Sequence, residues 1–175
     1  MMWNTSIMAF DRFAILDFEA SSLSAESWPI EIGLSWIEGG EVRTWSSLIR
    51  PDPVWNLDDW STASSAVHGI TLDEVFGAPE KSQVVEDFRQ ALGTRRMVSD
   101  APEFDQRWLA KLLGQDQLED GFGVEDIDAI TFAVFDSDQI RQMIVALQNI
   151  EAPHRAGPDA ARLAAGWLAA THAGK

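Results

Sequence analysis

The sequence predicts an α/β fold, and three observations carry that prediction. Three β-rich segments follow one another: one from Phe13, one from Trp28 to Ile37 and one from Glu41 to Arg50, the last two joined through Gly39-Gly40. Paired glycines tolerate the positive φ of a tight hairpin, so these segments read as an antiparallel meander. Later segments carry apolar residues at i, i+3 and i+4, the period of a helix with one buried face. Short β-rich runs at Arg96 to Ser99 and Ile130 to Phe135 lie between those helices and bring the strand count to five. A chain of 175 residues builds one core of ordinary size, so 1–175 reads as a single domain.

In order, residues 1–12 form a lead-in with apolar anchors at Trp3, Met8 and Phe10. After the meander comes a loop from Pro51 to Thr62, a short helical stretch and the turn His68-Gly69-Ile70-Thr71, in which His68 reads as a turn residue with a satisfied imidazole. Thr71 can cap a short helix through Val75 and Phe76 that Gly77 and Pro79 stop. Ser82 to Leu92 places Val84, Val85, Phe88 and Leu92 on one face. In SDAPEFDQRWLAKLL, Asp100 and Glu103 have capping-box spacing with Pro102 in the first turn. Phe104, Trp108, Leu109 and Leu112 form the apolar face, and Asp105 borders it. Gly114 to Asp128 carries six acids and no base and reads as a loop. Ser137 to Ile150, capped by Ser137 or Asp138, turns Ile140, Met143, Ile144 and Leu147 inward. A last helix begins at Pro158, holds Asp159 in its first turn and presents Leu163, Trp167 and Leu168 on one face.

Composition narrows the class. No run approaches the roughly 20 apolar residues of a membrane span. The first ten residues lack a basic n-region, so no signal peptide is read. The absence of cysteine excludes disulfides and thiolate metal sites, and together these features imply a cytoplasmic protein. The net charge is −15, and Arg95-Arg96 is the one adjacent basic pair. Grip on long nucleic acid normally uses a basic stripe. Any nucleic-acid partner would therefore be held locally, through few phosphates.

The chemistry concentrates in a few acids. In FAILDFEASSL an apolar strand suddenly carries Asp17 and Glu19, which leave a sheet on the same side roughly 7 Å apart along the backbone. Two readings are open: the strand ends at Leu16 and both acids are solvated, or a hard divalent cation offsets their desolvation. Asp105 beside a core-facing stripe, Asp159 in a helix's first turn and His154 in the loop before it complete a set. Four carboxylates and one imidazole are the parts of two-metal hydrolysis. Two Mg²⁺ ions about 4 Å apart activate a water and stabilise the leaving oxygen of a phosphodiester, while a histidine takes the proton.

These residues fall in three ordered motifs: DFE with Asp17 and Glu19, DAPEFD ending at Asp105, and HRAGPD with His154 and Asp159. In this the sequence resembles the DEDDh 3′-to-5′ exonucleases, the family of polymerase proofreading subunits, ribonuclease T and oligoribonuclease. WPIEIG and VHGIT also match the family's background pattern. The resemblance implies a ribonuclease H-like fold: a central five-stranded mixed sheet, with a three-strand antiparallel meander plus parallel strands, flanked by helices. It also implies that Asp17, Glu19, Asp105 and Asp159 hold two Mg²⁺ or Mn²⁺ ions, that His154 is the general base, and that Ala20, Ser21 and Leu23 contact the terminal nucleotide. Two positions depart from the pattern: Asp100 stands at the usual asparagine, where it keeps a capping side chain, and Ser22 stands at a common glycine.

The expected activity is removal of nucleoside monophosphates from the 3′ ends of single-stranded RNA or DNA or of short oligonucleotides. Two other readings stay open: a non-catalytic acidic interaction module on a nuclease-like fold, and a hydrolase of small phosphodiesters. Homodimers occur among the small proteins that it resembles. The eight tryptophans offer an interface, although a core place is the more ordinary one.

Overall fold

A computed structural model describes residues 10–114 and 123–172. The anchors Trp3 and Met8, and residues 115–122 of the acid-rich segment, lie outside them. Five strands form one mixed sheet in the order β3-β2-β1-β4-β5: β1 Phe13–Ala20, β2 Pro29–Glu38, β3 Glu41–Leu48, β4 Arg96–Ser99 and β5 Val124–Asp126. β1 to β3 pair antiparallel, as the meander requires, with Gly39 and Gly40 at φ 62° and 81° in the turn between β2 and β3. β4 and β5 add parallel to β1.

Period-2 alternation divides β1 between two cores. Ala14, Leu16, Phe18 and Ala20 pack into one cluster with Trp28, Ile30, Ile32 and Leu34. Helix α3 (Lys81–Leu92) adds Val84, Phe88 and Leu92 to it, and helix α4 (Pro102–Leu113) adds Trp108, Leu109 and Leu112. Phe13 and Ile15 face the other way, into a second cluster closed by Trp167 of helix α7 (Ala156–Thr171). Fully burying side chains of this kind is worth about 1.5–3 kcal/mol each. On the α7 side, the sequence of β1 then changes from apolar to acidic at Asp17 and Glu19. That change marks the end of the second core.

Between the meander and α3 lie two short helices, α1 (Thr62–His68) and α2 (Leu72–Phe76). Thr71 and Glu74 complete the capping box of α2. Trp28, Trp55 and Trp60 pack together, and Trp28 Nε1 donates to the Asn56 carbonyl at 3.0 Å. Every described tryptophan packs into or against a core cluster.

Five expectations need correction. Ile130 to Phe135 is no strand: helix α5 (Ile127–Val134) occupies it, because Asp126 caps the backbone N–H groups of Asp128 and Ala129. Ile127 and Thr131, one turn apart, are then the buried pair, and the fifth strand lies earlier, at Val124–Asp126. Helix α6 (Ser137–Gln148) is capped by Asp136, whose capping box with Gln139 displaces the expected Ser137 or Asp138, and Ile144 is exposed rather than inward. α7 starts at Ala156, two residues before Pro158. In α4 the inward position is Asp105, with Phe104 40% exposed and Asp105 2%.

Candidate metal centre

The acidic end of β1 meets two other chain segments there. β1 and β4 run parallel with Ile15 opposite Val98. Asp17 and Asp100 each lie two residues further on, just past the end of that parallel pairing, so they leave neighbouring strands side by side. Carboxyl ends of parallel strands are where open α/β sheets place their ligands. α7 reaches the same end from the other face of the sheet and carries Asp159 in its first turn.

Two acid groups result. Asp17, Glu19 and Asp159 offer oxygens that all lie within 4.8 Å of one another. Asp17, Asp100 and Asp105 do the same. Asp17 belongs to both. His154 is exposed in the loop before α7, at φ 54°, a left-handed conformation uncommon for a residue with a Cβ.

The surroundings explain how the acids are held. Glu31 of β2, opposite Glu19 in the register, is buried and accepts from Arg155 Nε at 2.9 Å, from a terminal guanidinium nitrogen at 2.7 Å and from the Ala156 N–H at 3.0 Å. This bidentate pair ties the start of α7 to the sheet. Gly33 allows the approach: a Cβ there would lie 2.3 Å from the Ala156 carbonyl carbon and oxygen. The Arg155 N–H also donates to Asp159 Oδ2 at 3.2 Å. On the other side, the Ser99 hydroxyl donates to Asp105 and accepts from the Ala101 N–H at 2.8 Å. Asp100 is not the N-cap of α4 and no Asp100–Glu103 capping box forms: Ala101 stands at the cap position without a side-chain cap, and Ser99 satisfies its N–H.

Burial sets the protonation of the acids. It pushes Glu19 up to about 7, helped by Glu31 and Asp159, and Asp105 up to about 7 against the lowering effect of Ser99. Asp17 is pushed well above the ordinary carboxylate range, by burial first and then by Asp105, Glu19, Asp100 and Asp159. Asp159 rises for the same first reason. Among the described residues, no hydrogen bond or ion pair reaches the carboxylates of Asp17, Glu19 or Asp100, and Asp159 Oδ1 is buried without a partner. A donor set made only of oxygens, with like charges crowded together and left unpaired, fits hard divalent cations.

Beside Glu19 lies a cleft lined by Ala20, Ser22, Leu23, Val67, His68 and Trp108. Ala20 and Leu23 are thus on it, whereas the Ser21 hydroxyl is buried and accepts from the Trp28 N–H at 3.0 Å. His68 is half satisfied: Nδ1 accepts from the Ile70 N–H at 3.0 Å, while Nε2 is buried without a partner among the described residues. Sequence reasoning passed over Glu31, Ser99, Asp100 and Arg155 as parts of the site. An acid inside the apolar run WPIEIG was the one available signal, for Glu31.

The family model described as Exonuclease (RNase_T) matches residues 14–165. No curated protein matches the sequence. Among solved structures, the nuclease domain of 3′hExo, described as a DEDDh family member bound to rAMP, is 20% identical with a TM-score of 0.64, over 91% of this chain and 90% of that one. A full-length 3′-exonuclease is 19% identical with a TM-score of 0.64, over 91% of this chain, which spans only 60% of that protein's length. Exonuclease X in complex with 5′ overhanging duplex DNA is 18% identical with a TM-score of 0.55, over 89% of each chain. These likenesses are of fold, and the fold is the ribonuclease H-like one that the three motifs imply. With its model matched across most of the chain, the protein belongs to the RNase_T exonuclease family, in keeping with its DEDDh motifs.

Proposed function

We propose that this chain is a metal-dependent 3′-to-5′ exonuclease of a single domain, 1–175, that releases nucleoside monophosphates from single-stranded RNA or DNA or from short oligonucleotides. The observation that carries the reading is the pair of carboxylate groups joined at Asp17, in a chain of an exonuclease family. Asp17, Glu19, Asp105 and Asp159 would hold two Mg²⁺ or Mn²⁺ ions, which when bound neutralise phosphodiester charge and acidify the attacking water. The same local charge reversal answers the net charge of −15, because phosphate would enter where the acids are compensated.

The chain's own residues take the remaining roles. His154, exposed and in the same loop as Arg155, would accept the water's proton at an imidazole nitrogen. The Arg155–Glu31 pair holds that loop and Asp159 in one position. Ala20 and Leu23 would pack against the terminal nucleoside, and Ser21 would support them from behind through Trp28. His68 accepts at Nδ1, so its neutral ring carries the proton at Nε2, where it would donate to an oxygen of the nucleotide.

The test is incubation of the purified protein with 5′-labelled RNA and DNA oligonucleotides, with Mg²⁺, Mn²⁺ or chelator, beside Asp17→Ala. The expected result is a metal-dependent ladder that shortens from the 3′ end and slows at least about 10²- to 10³-fold in the variant, the scale of losing one transition-state stabilising group. No shortening of either polymer with metal demonstrably bound would overturn the reading. Dinucleotides and small phosphodiesters would then be tried before a protein partner.

A further inference from the structure

The motifs nominate one acid for the second segment, Asp105, and the structure brings a second acid there. Asp100 stands where the family pattern has asparagine, and a capping role would explain either residue. Asp100 does not play that role: Ala101 stands at the cap position of α4 and no side chain caps the helix, while the Ser99 hydroxyl takes the Ala101 N–H. The Asp100 carboxylate is exposed and has no hydrogen-bond or ion-pair partner among the described residues. One of its oxygens lies within 4.8 Å of oxygens from both Asp17 and Asp105. Parallel register keeps it there, since Asp17 and Asp100 follow the paired residues Ile15 and Val98 by the same two positions.

Resting on the two-cation reading above, we propose that Asp100 is a direct ligand of the second cation. That ion is then held by three protein carboxylates, Asp17, Asp100 and Asp105, and binds before any nucleic acid arrives. The chemistry argues for it in two ways. Asp105 is 98% buried with one oxygen committed to Ser99, so by itself it offers little to an ion that must also admit substrate. Asp100 is on the solvent side of the same group and brings a full negative charge, where an asparagine would bring one neutral oxygen. Hard cations are held by charge count as well as by ligand number. Without the ion, Asp100 only adds repulsion, since its carboxylate stands within 4.8 Å of two others of the same sign. An exposed, unpartnered acid placed against a buried one and a half-buried one is destabilising unless something binds there.

The experiment is Mn²⁺ binding to the chelator-stripped full chain without nucleic acid, followed by calorimetry and by the electron spin resonance of free Mn²⁺. Asp100→Asn and Glu19→Gln are measured beside the wild type, with melting curves of each in chelator. Two ions per wild-type chain are expected. Asp100→Asn should keep one and bind the second at least about tenfold more weakly, the lower end of what losing even an indirect ligand costs. Glu19→Gln should weaken the other. In chelator, Asp100→Asn should melt higher than wild type, a gain that saturating Mn²⁺ cancels. Two ions bound equally well by wild type and Asp100→Asn would overturn the inference and leave the exonuclease reading intact. So would a single ion in wild type that Asp100→Asn does not affect. No ion bound by the wild type would remove the exonuclease reading as well.

Discussion

The two halves of the acidic centre are assembled by different means. The Asp105 side is local: a strand ends, a serine caps the turn, and the helix that follows immediately presents its acid back to the strand. The Asp159 side depends on distant chain, because Arg155 and Ala156 reach Glu31 across 124 and 125 residues of sequence. Gly33 makes that contact possible. The local half should therefore tolerate change gradually, since each of its parts has a neighbour that holds it. The distant half should fail abruptly, since the seating of one helix end fixes His154, Arg155 and Asp159 together.

That contrast can be broken most directly at Gly33. A Cβ there meets the Ala156 backbone, which cannot move aside without lifting the whole start of α7. Gly33→Ala should cost about 3 kcal/mol, the upper range for overpacking a filled core. It should also abolish nuclease activity even where the protein still folds. A chemical denaturation curve and the oligonucleotide assay read the two effects, and near-wild-type values in both would refute the seat.

The charge shared by the two halves supplies a smaller effect. Glu19 and Asp105 both rise to about 7, from 4.5 and 3.8. Between about pH 4 and pH 7 the folded chain therefore keeps protons that the unfolded chain has released, and stability falls as pH rises through that window. Metal replaces those protons, so its affinity should climb over the same range. In chelator the melting temperature should drop by several degrees from pH 5 to pH 7.5, and saturating Mn²⁺ should remove the drop. Equal slopes with and without metal would count against a centre that trades protons for cations.

The smallest effect belongs to the local half. Ser99→Ala removes the hydroxyl shared by Asp105 and the Ala101 N–H, at about 1–2 kcal/mol. Activity should survive in reduced form, because burial in α4 still directs Asp105 to the strand end. A loss as complete as that of Gly33→Ala would erase the distinction between the halves.

Much of this architecture was legible beforehand, and the failures have physical causes. The strand carrying Asp17 and Glu19, its hairpin neighbours and β4 follow from β-rich composition and turn glycines, which are local properties. Ile130 to Phe135 misled because a short apolar run suits either a strand or a helix. A single side chain, Asp126 at the cap, settled it. Asp100 misled in the opposite way: its spacing to Glu103 matched a capping box, but the helix begins one residue later, with Ala101 at the cap position and no side chain capping it.

By itself, then, the sequence determined the mixed α/β class, the acids available and the order in which they occur, since these depend on composition and spacing within a few residues. Only the tertiary structure decided that Asp17 serves two groups, that Asp100 joins one of them, and that Glu31 and Gly33 seat the helix bearing Asp159. Each of those facts rests on the register of β1 against β4 or on the approach of α7 to β2. Both are contacts between segments far apart in the chain, and no local pattern encodes how closely such segments will meet.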